Sequence, residues 1–129
     1  MQDRIVINDY IQGDPLSEEN LDKTLETVYE IRLLFPQKTI WLYTGYTWED
    51  ILPGTRLSWF QGEKSENIIN ECIFQNKRAE IIEKCDILVD GRYIDSQRDV
   101  TLKWKGSKNQ RVIDIQQSLQ RNKIILHCD

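Results

Sequence analysis

Apolar and polar positions along the chain repeat with two different periods, and the switches between them mark the elements. Residues 4–11, RIVINDYI, are mostly apolar and predict a first strand. Gln12-Gly13-Asp14-Pro15-Leu16 follows as a loop containing both main punctuators, glycine and proline. Leu21, Leu25, Val28, Ile31 and Phe35 are then spaced 4, 3, 3 and 4 apart, which is one apolar helical face. Ser17 is the predicted N-cap, Glu18 and Glu19 suit the positive end of the helix dipole, and Pro36 stops the helix. Residues 39–44, TIWLYT, are apolar on both sides of the pleat, the mark of a strand covered on both faces. A short helix is predicted from Trp48 to Ile51. Residues 53–67 read as a polar surface insertion, and a helical pattern resumes from Ile68 to Lys84. Residues 86–90, DILVD, form another short buried strand closed by Gly91. The stretch onward to Arg111 is basic and mostly loop, with a candidate strand at 101–104. Residues 113–121 read as helix and 123–127 as a last strand.

Strand, helix, strand, helix, strand is the order of βαβ units, so the expectation is one α/β domain over residues 1–129 with a mainly parallel sheet. Four Trp, five Tyr and 40% hydrophobic residues exclude a disordered chain. No segment reaches the ~18 apolar residues of a membrane helix, and the polar start is unlike a signal peptide. Three cysteines at wide spacing make no secreted disulfide framework, which points to the reducing cytoplasm. The net charge of -4 is uneven: residues 1–64 carry 11 acids and 6 bases, residues 65–129 carry 10 acids and 11 bases. That balance argues against a general nucleic-acid coat while leaving a local anionic partner open.

Ligands of open α/β sheets bind beyond the carboxyl ends of the strands. Three such ends carry loops of interest: Gly13-Asp14-Pro15, Thr44-Gly45-Tyr46 and Asp90-Gly91-Arg92. Glycine allows close backbone approach, and a carboxylate accepts hydrogen bonds from an amine or ribose hydroxyls. Ordinary strand-ending turns have the same composition. Elsewhere the chemistry is thin. Twelve residues separate Cys72 from Cys85, a spacing that fits no cluster or zinc motif. Cys85 precedes an apolar strand and reads as a buried, inert thiol. His127, the only histidine, is sequential with Cys128 and Asp129 at the terminus, where fraying is expected. Trp41, Trp48 and Trp104 are candidates for adenine stacking, though Trp41 lies mid-strand and suits the core. Lys103, Lys105, Lys108 and Arg111 read as a solvated basic loop. No catalytic residue and no metal ligand are assigned.

GDPLSEENLD (13–22), KTIWLYTGYTWEDI (38–51), CDILVDGRYIDSQRD (85–99) and TLKWKGSKNQRVID (101–114) together resemble the activating proteins of anaerobic ribonucleoside-triphosphate reductase, a radical S-adenosylmethionine family. The resemblance implies a radical-SAM-type (βα) barrel, here partial or an open mainly parallel sheet with the first βα unit missing. It implies an enzyme whose 4Fe-4S cluster, held by a C-x-x-x-C-x-x-C triad, cleaves S-adenosylmethionine to install a glycyl radical on the large subunit of the reductase. By the same resemblance Gly13, Asp14 and Pro15 lie on the loop for the methionine amino group. Thr44, Gly45, Tyr46, Asp90 and Gly91 lie on neighbouring strand ends facing the cofactor. The chain lacks the cysteine triad, and Gln12 stands where the family usually has a glycine. Two expectations follow: a truncated or split activating protein, or a non-catalytic reductase-binding or regulatory module. A nucleic-acid binder using residues 92–123 is a third, weaker reading.

Overall fold

The computed structural model describes residues 3–52 and 66–127. Its strands are β1 (Arg4–Val6), β2 (Thr39–Tyr43), β3 (Ile87–Asp90) and β4 (Arg111–Asp114). Its α-helices are α1 (Leu21–Leu34), α2 (Trp48–Ile51), α3 (Glu66–Glu83) and α4 (Ile115–Arg121). The strands form one sheet in the order β1-β2-β3-β4. β1, β2 and β3 are mutually parallel, with Ile5 opposite Ile40 and Leu42 opposite Leu88. β4 returns antiparallel to β3, pairing Leu88 with Ile113. The α/β class is thus as expected, and the sheet is mixed.

Period-two alternation divides the strand residues between two cores. Ile40, Leu42, Leu88 and Ile113 face the helical side, where they are fully buried with Leu21, Val28, Ile81 and Ile82 from α1 and α3. The two helices also touch each other: Tyr29 Oη donates to Glu80 (2.7 Å) and Lys77 pairs with Asp22 (2.6 Å). Trp41, Ile87 and Val89 face the opposite side, packed by Val6, Tyr43, Val112 and Trp104. There the Arg4 guanidinium lies 4.7 Å from the Trp41 ring and 4.5 Å from the Trp104 ring. Trp104 adopts φ 73°, a left-handed backbone that a bulky residue rarely takes.

Several elements differ from expectation for identifiable reasons. The first strand ends at Val6, and Ile7–Asp9 turn into a 3-10 helix. The Asn8 side chain continues the pairing in the strand's place, donating to Tyr43 O (2.9 Å) and accepting from Tyr43 N (2.8 Å). Ser17 precedes a 3-10 turn, Glu18–Asn20, and makes no side-chain cap; α1 begins at Leu21. The expected strand at 101–104 is loop, tied by an isolated bridge between Arg98 and Ser107. Residues 111–114 form β4 rather than loop and helix start, and Asp114 caps α4 by accepting from Gln117 N (3.0 Å). Residues 123–127 form no full strand. They do run along the outer edge of β4, where Asp114 N donates to Ile125 O and His127 N to Val112 O, each at 2.8 Å. Of the expected insertion, Glu66 and Asn67 open α3 and the rest lies outside the described residues.

One side chain joins the amino ends of β2 and β3 to α1. Arg32 donates to Lys84 O (2.9 Å), Lys38 O (3.0 Å) and Asp86 (2.6 Å), and Asp86 accepts in turn from Ile40 N (2.8 Å). Removing a donor from charge-assisted bonds leaves partly buried acceptors unsatisfied. Arg32→Met is expected to lower unfolding stability by about 2–3 kcal/mol, read from urea denaturation midpoints at unchanged slope. A loss within the range of ordinary surface substitutions, about 0.5 kcal/mol, would show that Arg32 does not join these elements.

Candidate functional site

Because β1, β2 and β3 run parallel, the loops that follow them emerge at one edge of the sheet. There they enclose an open cleft of about 410 Å³ lined by Asp14, Ser17, Gly45, Tyr46, Asp50 and Arg92. Each loop is fixed from within. Gly13 takes φ 88°, the left-handed region that favours glycine. The Asn20 amide then clamps the turn by donating to Gln12 O (3.0 Å) and Asp14 O (2.8 Å). The Asp14 carboxylate accepts from Leu16 N (2.9 Å), Thr44 Oγ1 (2.8 Å) and Gly45 N (2.8 Å), so it fastens the loop after β1 to the end of β2. Gly91, φ 95°, donates its N–H to Tyr46 O (3.0 Å) and so joins the end of β3.

Beneath this edge lies a second charged cluster. Asp90 is 1% exposed and accepts from Trp48 N (2.8 Å) and from two nitrogens of Arg111. Arg111 also reaches Glu49 at 2.7 Å and 3.2 Å. The hydrogen bonds to Asp90 and then Glu49 push the Arg111 guanidinium still higher, so it stays charged. The Arg111 hydrogen bond holds the Glu49 carboxyl below the usual glutamate range, against a smaller opposing effect of burial. Thr47 and Asp50 form a capping box on α2, with Asp50 N donating to Thr47 Oγ1 (3.3 Å) and Thr47 N to Asp50 (3.3 Å).

The eight residues singled out from the sequence therefore separate. Asp14, Gly45 and Tyr46 line the cleft. Gly13 and Gly91 shape its loops, while Pro15, Thr44 and Asp90 are buried behind them. The oxygens of Asp14 and Asp90 are occupied by groups of the protein itself. Arg92, from the Asp90-Gly91-Arg92 loop, lines the cleft too, and Ser17 and Asp50 line it without having been singled out as ligand contacts. Asp50 was detectable as the fourth residue of T-W-E-D, a capping-box spacing. Arg78 gave no such signal. It is 5% exposed and lies directly behind Tyr46, its guanidinium carbon 4.5 Å from the ring centre. None of the three tryptophans proposed for adenine stacking lines the cleft: Trp41 and Trp104 pack together at 5.0 Å on the sheet's second face, and Trp48 packs on the main core.

Cys85 is buried, and desolvation pushes its thiol up to about 12. Cys72 lies along α3, half-buried. Among the described residues no three or more histidine, cysteine or acidic side chains are grouped to hold a metal ion. Cys128 lies outside the described residues. No helix among them is long and apolar enough to cross a membrane.

The family described as "4Fe-4S single cluster domain" matches residues 7–113. The chain is 31% identical over 98 residues to a protein of Vibrio cholerae named anaerobic ribonucleoside-triphosphate reductase-activating protein, covering 76% of this chain and 48% of that one. Proteins of the same name in Enterobacteria phage T4 and Escherichia coli are 31% and 28% identical over 100 residues, covering 78% of this chain and 47% and 50% of theirs. The chain thus spans about half the length of the curated relatives it matches. No solved structure matches it.

Two outcomes follow from the site's charges. Asp14→Asn replaces an acceptor oxygen by a donor facing either Gly45 N or the loop, and is expected to cost about 1–3 kcal/mol in denaturant unfolding. A variant as stable as the parent would mean that the carboxylate does not fasten the two loops. Glu49, with its folded pKa depressed, adds stability that is present above its unfolded value near 4.3 and lost as pH falls through the folded value. The stability gap between the parent and Glu49→Gln should therefore be open at neutral pH and close below about pH 4. A gap independent of pH between 3 and 7 would contradict the pairing with Arg111.

Proposed function

The chain belongs to the 4Fe-4S single cluster domain family, and from that premise we propose that it serves in activating an anaerobic ribonucleoside-triphosphate reductase, with the strand-end cleft as a seat for S-adenosylmethionine. The observation that carries the proposal is the convergence of the Gly13, Thr44 and Gly91 loops on one cleft. These are the stretches that resemble the activating proteins. Both crossover helices, α1 and α3, pack on the same face of the sheet, which is compatible with an arc of a (βα) barrel.

The lining suits that ligand. About 410 Å³ falls within the usual range for small-molecule sites. S-adenosylmethionine carries a carboxylate, an ammonium, a sulfonium and an adenosine. Arg92 would receive the carboxylate as a charge-assisted pair. Asp50 would accept from the ammonium or the ribose hydroxyls, and the Tyr46 ring offers a face to the sulfonium or the adenine. When bound, S-adenosylmethionine supplies a carbon–sulfur bond that cleaves on one-electron reduction. This chain's residues orient it and keep its charged groups paired.

The iron–sulfur cluster does not fit the described residues. The Cys85 thiol is held protonated in the core, Cys72 lies half-buried along α3, and among the described residues no three possible ligands are grouped. Cofactor seating is therefore the function the described residues support; holding the cluster is not. That observation favours a second reading, a reductase-binding or regulatory module without radical chemistry. The free thiols of Cys72 and Cys85 suit a reducing, cytoplasmic setting in either case.

Isothermal titration with S-adenosylmethionine in the absence of iron tests the first reading. The parent chain is expected to bind, and Arg92→Ala to bind about tenfold more weakly. Absence of binding by the parent, with the reductase large subunit still captured, would replace the first reading by the second. Failure of both interactions would remove the two together.

A further inference from the structure

We propose that Arg78 is the positioning residue of the cleft, fixing the Gly13 loop and Tyr46 relative to each other so that the cleft is preformed for its ligand. The proposal rests on reading the cleft as an S-adenosylmethionine site.

Arg78 lies on α3, far in sequence from the three loops, yet it reaches two of them. Its Nε–H donates to Leu16 O (2.8 Å). Nη2 donates to Tyr46 Oη (3.2 Å), and Nη1 to Gln75 Oε1 (3.3 Å). The guanidinium also stacks on the Tyr46 ring. Leu16 is consequently held at both of its backbone groups, with its N–H on Asp14 and its C=O on Arg78. Asp14 meanwhile holds Gly45 N, and the carbonyl of Tyr46 holds Gly91 N. Asp14 and Gly91 are thus two hydrogen bonds from this guanidinium, and Gly45 is three.

The energetic setting is unusual. A charge that is 95% removed from solvent ordinarily has an ionic partner. All three acceptors of Arg78 are neutral, and among the described residues it has no carboxylate. A methionine or leucine would fill the same helix position without that desolvation cost, so packing alone gives no reason for a guanidinium. Its fork does give one: planar donors can serve a carbonyl and a phenol at once while the plane stacks on the ring. A lysine keeps the charge and the reach but presents a single ammonium, which cannot hold both partners in that geometry. Preformed geometry matters here because ordering loops at the moment of binding weakens affinity.

The test uses the chain with Arg78→Lys, Tyr46→Phe and the double variant. S-adenosylmethionine affinity is measured by titration, and amide hydrogen exchange is followed residue by residue. Arg78→Lys is expected to weaken binding about tenfold and to lower protection at Leu16, Gly45 and Gly91, leaving Leu42 and Leu88 in the strands unchanged. Tyr46→Phe keeps the ring and loses only the phenol link, so it is expected to weaken binding less. In its background the Arg78→Lys effect on affinity should shrink, since the two share one contact. Unchanged affinity and loop protection in Arg78→Lys would overturn the proposal. So would equal loss of protection in strands and loops, which would make Arg78 a residue of general stability. If Arg78→Lys does not fold, Tyr46→Phe decides: undiminished loop protection and affinity there overturn the proposal. If the parent chain binds no S-adenosylmethionine, the reading of the ligand falls, and hydrogen exchange alone decides whether Arg78 sets the loops.

Discussion

Backbone groups beyond the last paired residue of a parallel strand have no neighbour to bond, yet buried N–H groups must be satisfied. At the carboxyl edge of this sheet side chains take over that role. Asn8 pairs with both backbone groups of Tyr43 in place of a strand residue. Asp14 takes the N–H groups of Leu16 and Gly45, and Asp90 takes that of Trp48. These three polar residues turn a row of loose strand ends into a defined edge. They also explain why two carboxylates that suggest ligand contacts are spent on the protein's own amides. The cleft is left with Asp50 and Arg92 as its charged groups facing outward, because the acids behind it hold the loops that make it a cleft.

That division bears on what the site can bind. Arg92 makes no side-chain hydrogen bond or ion pair among the described residues, whereas Arg111 is bound to Asp90 and Glu49 and stays charged without being available. Arg78 is buried, and its acceptors among the described residues are the neutral Leu16 O, Tyr46 Oη and Gln75 Oε1. Of three arginines near the edge, Arg92 lines the cleft and the other two hold the scaffold. One guanidinium unpaired among the described residues suits a single carboxylate better than it suits a polyanion.

The main helices and the central strands were legible because their signal is local. Leu21, Val28 and Ile31 show the face of α1 by spacing alone, and TIWLY and ILVD announce buried strands by their apolar runs. β4 was not legible, since RVID is short and its two polar ends act at long range, Arg111 on Asp90 and Asp114 on α4. The first strand was read too long because nothing local shows that the Asn8 amide substitutes for backbone. The glycine loops of the cleft were visible by turn chemistry. Arg78 was not, because a charged residue on an amphipathic helix reads as solvent-facing until the loop it holds is seen packed over it. Trp104 illustrates the same limit: no local pattern predicts a left-handed tryptophan, which is fixed by Trp41 on one side and Arg4 on the other.

The sheet's strand order has a consequence for how the chain acquires its shape. Spatial order follows sequence order, so every strand finds its partner in the strand made just before it. No strand has to wait for a later one to be inserted between two that already exist. Such an order lets the structure grow in one direction as the chain leaves the ribosome, each new strand docking on a finished edge. The last addition, β4, is a simple antiparallel return without a crossover. Each parallel pairing still has to close a long stretch of chain, 35 residues from Val6 to Trp41 and 46 from Trp41 to Ile87, so these closures are the slow steps and the return of β4 onto β3 is the quick one.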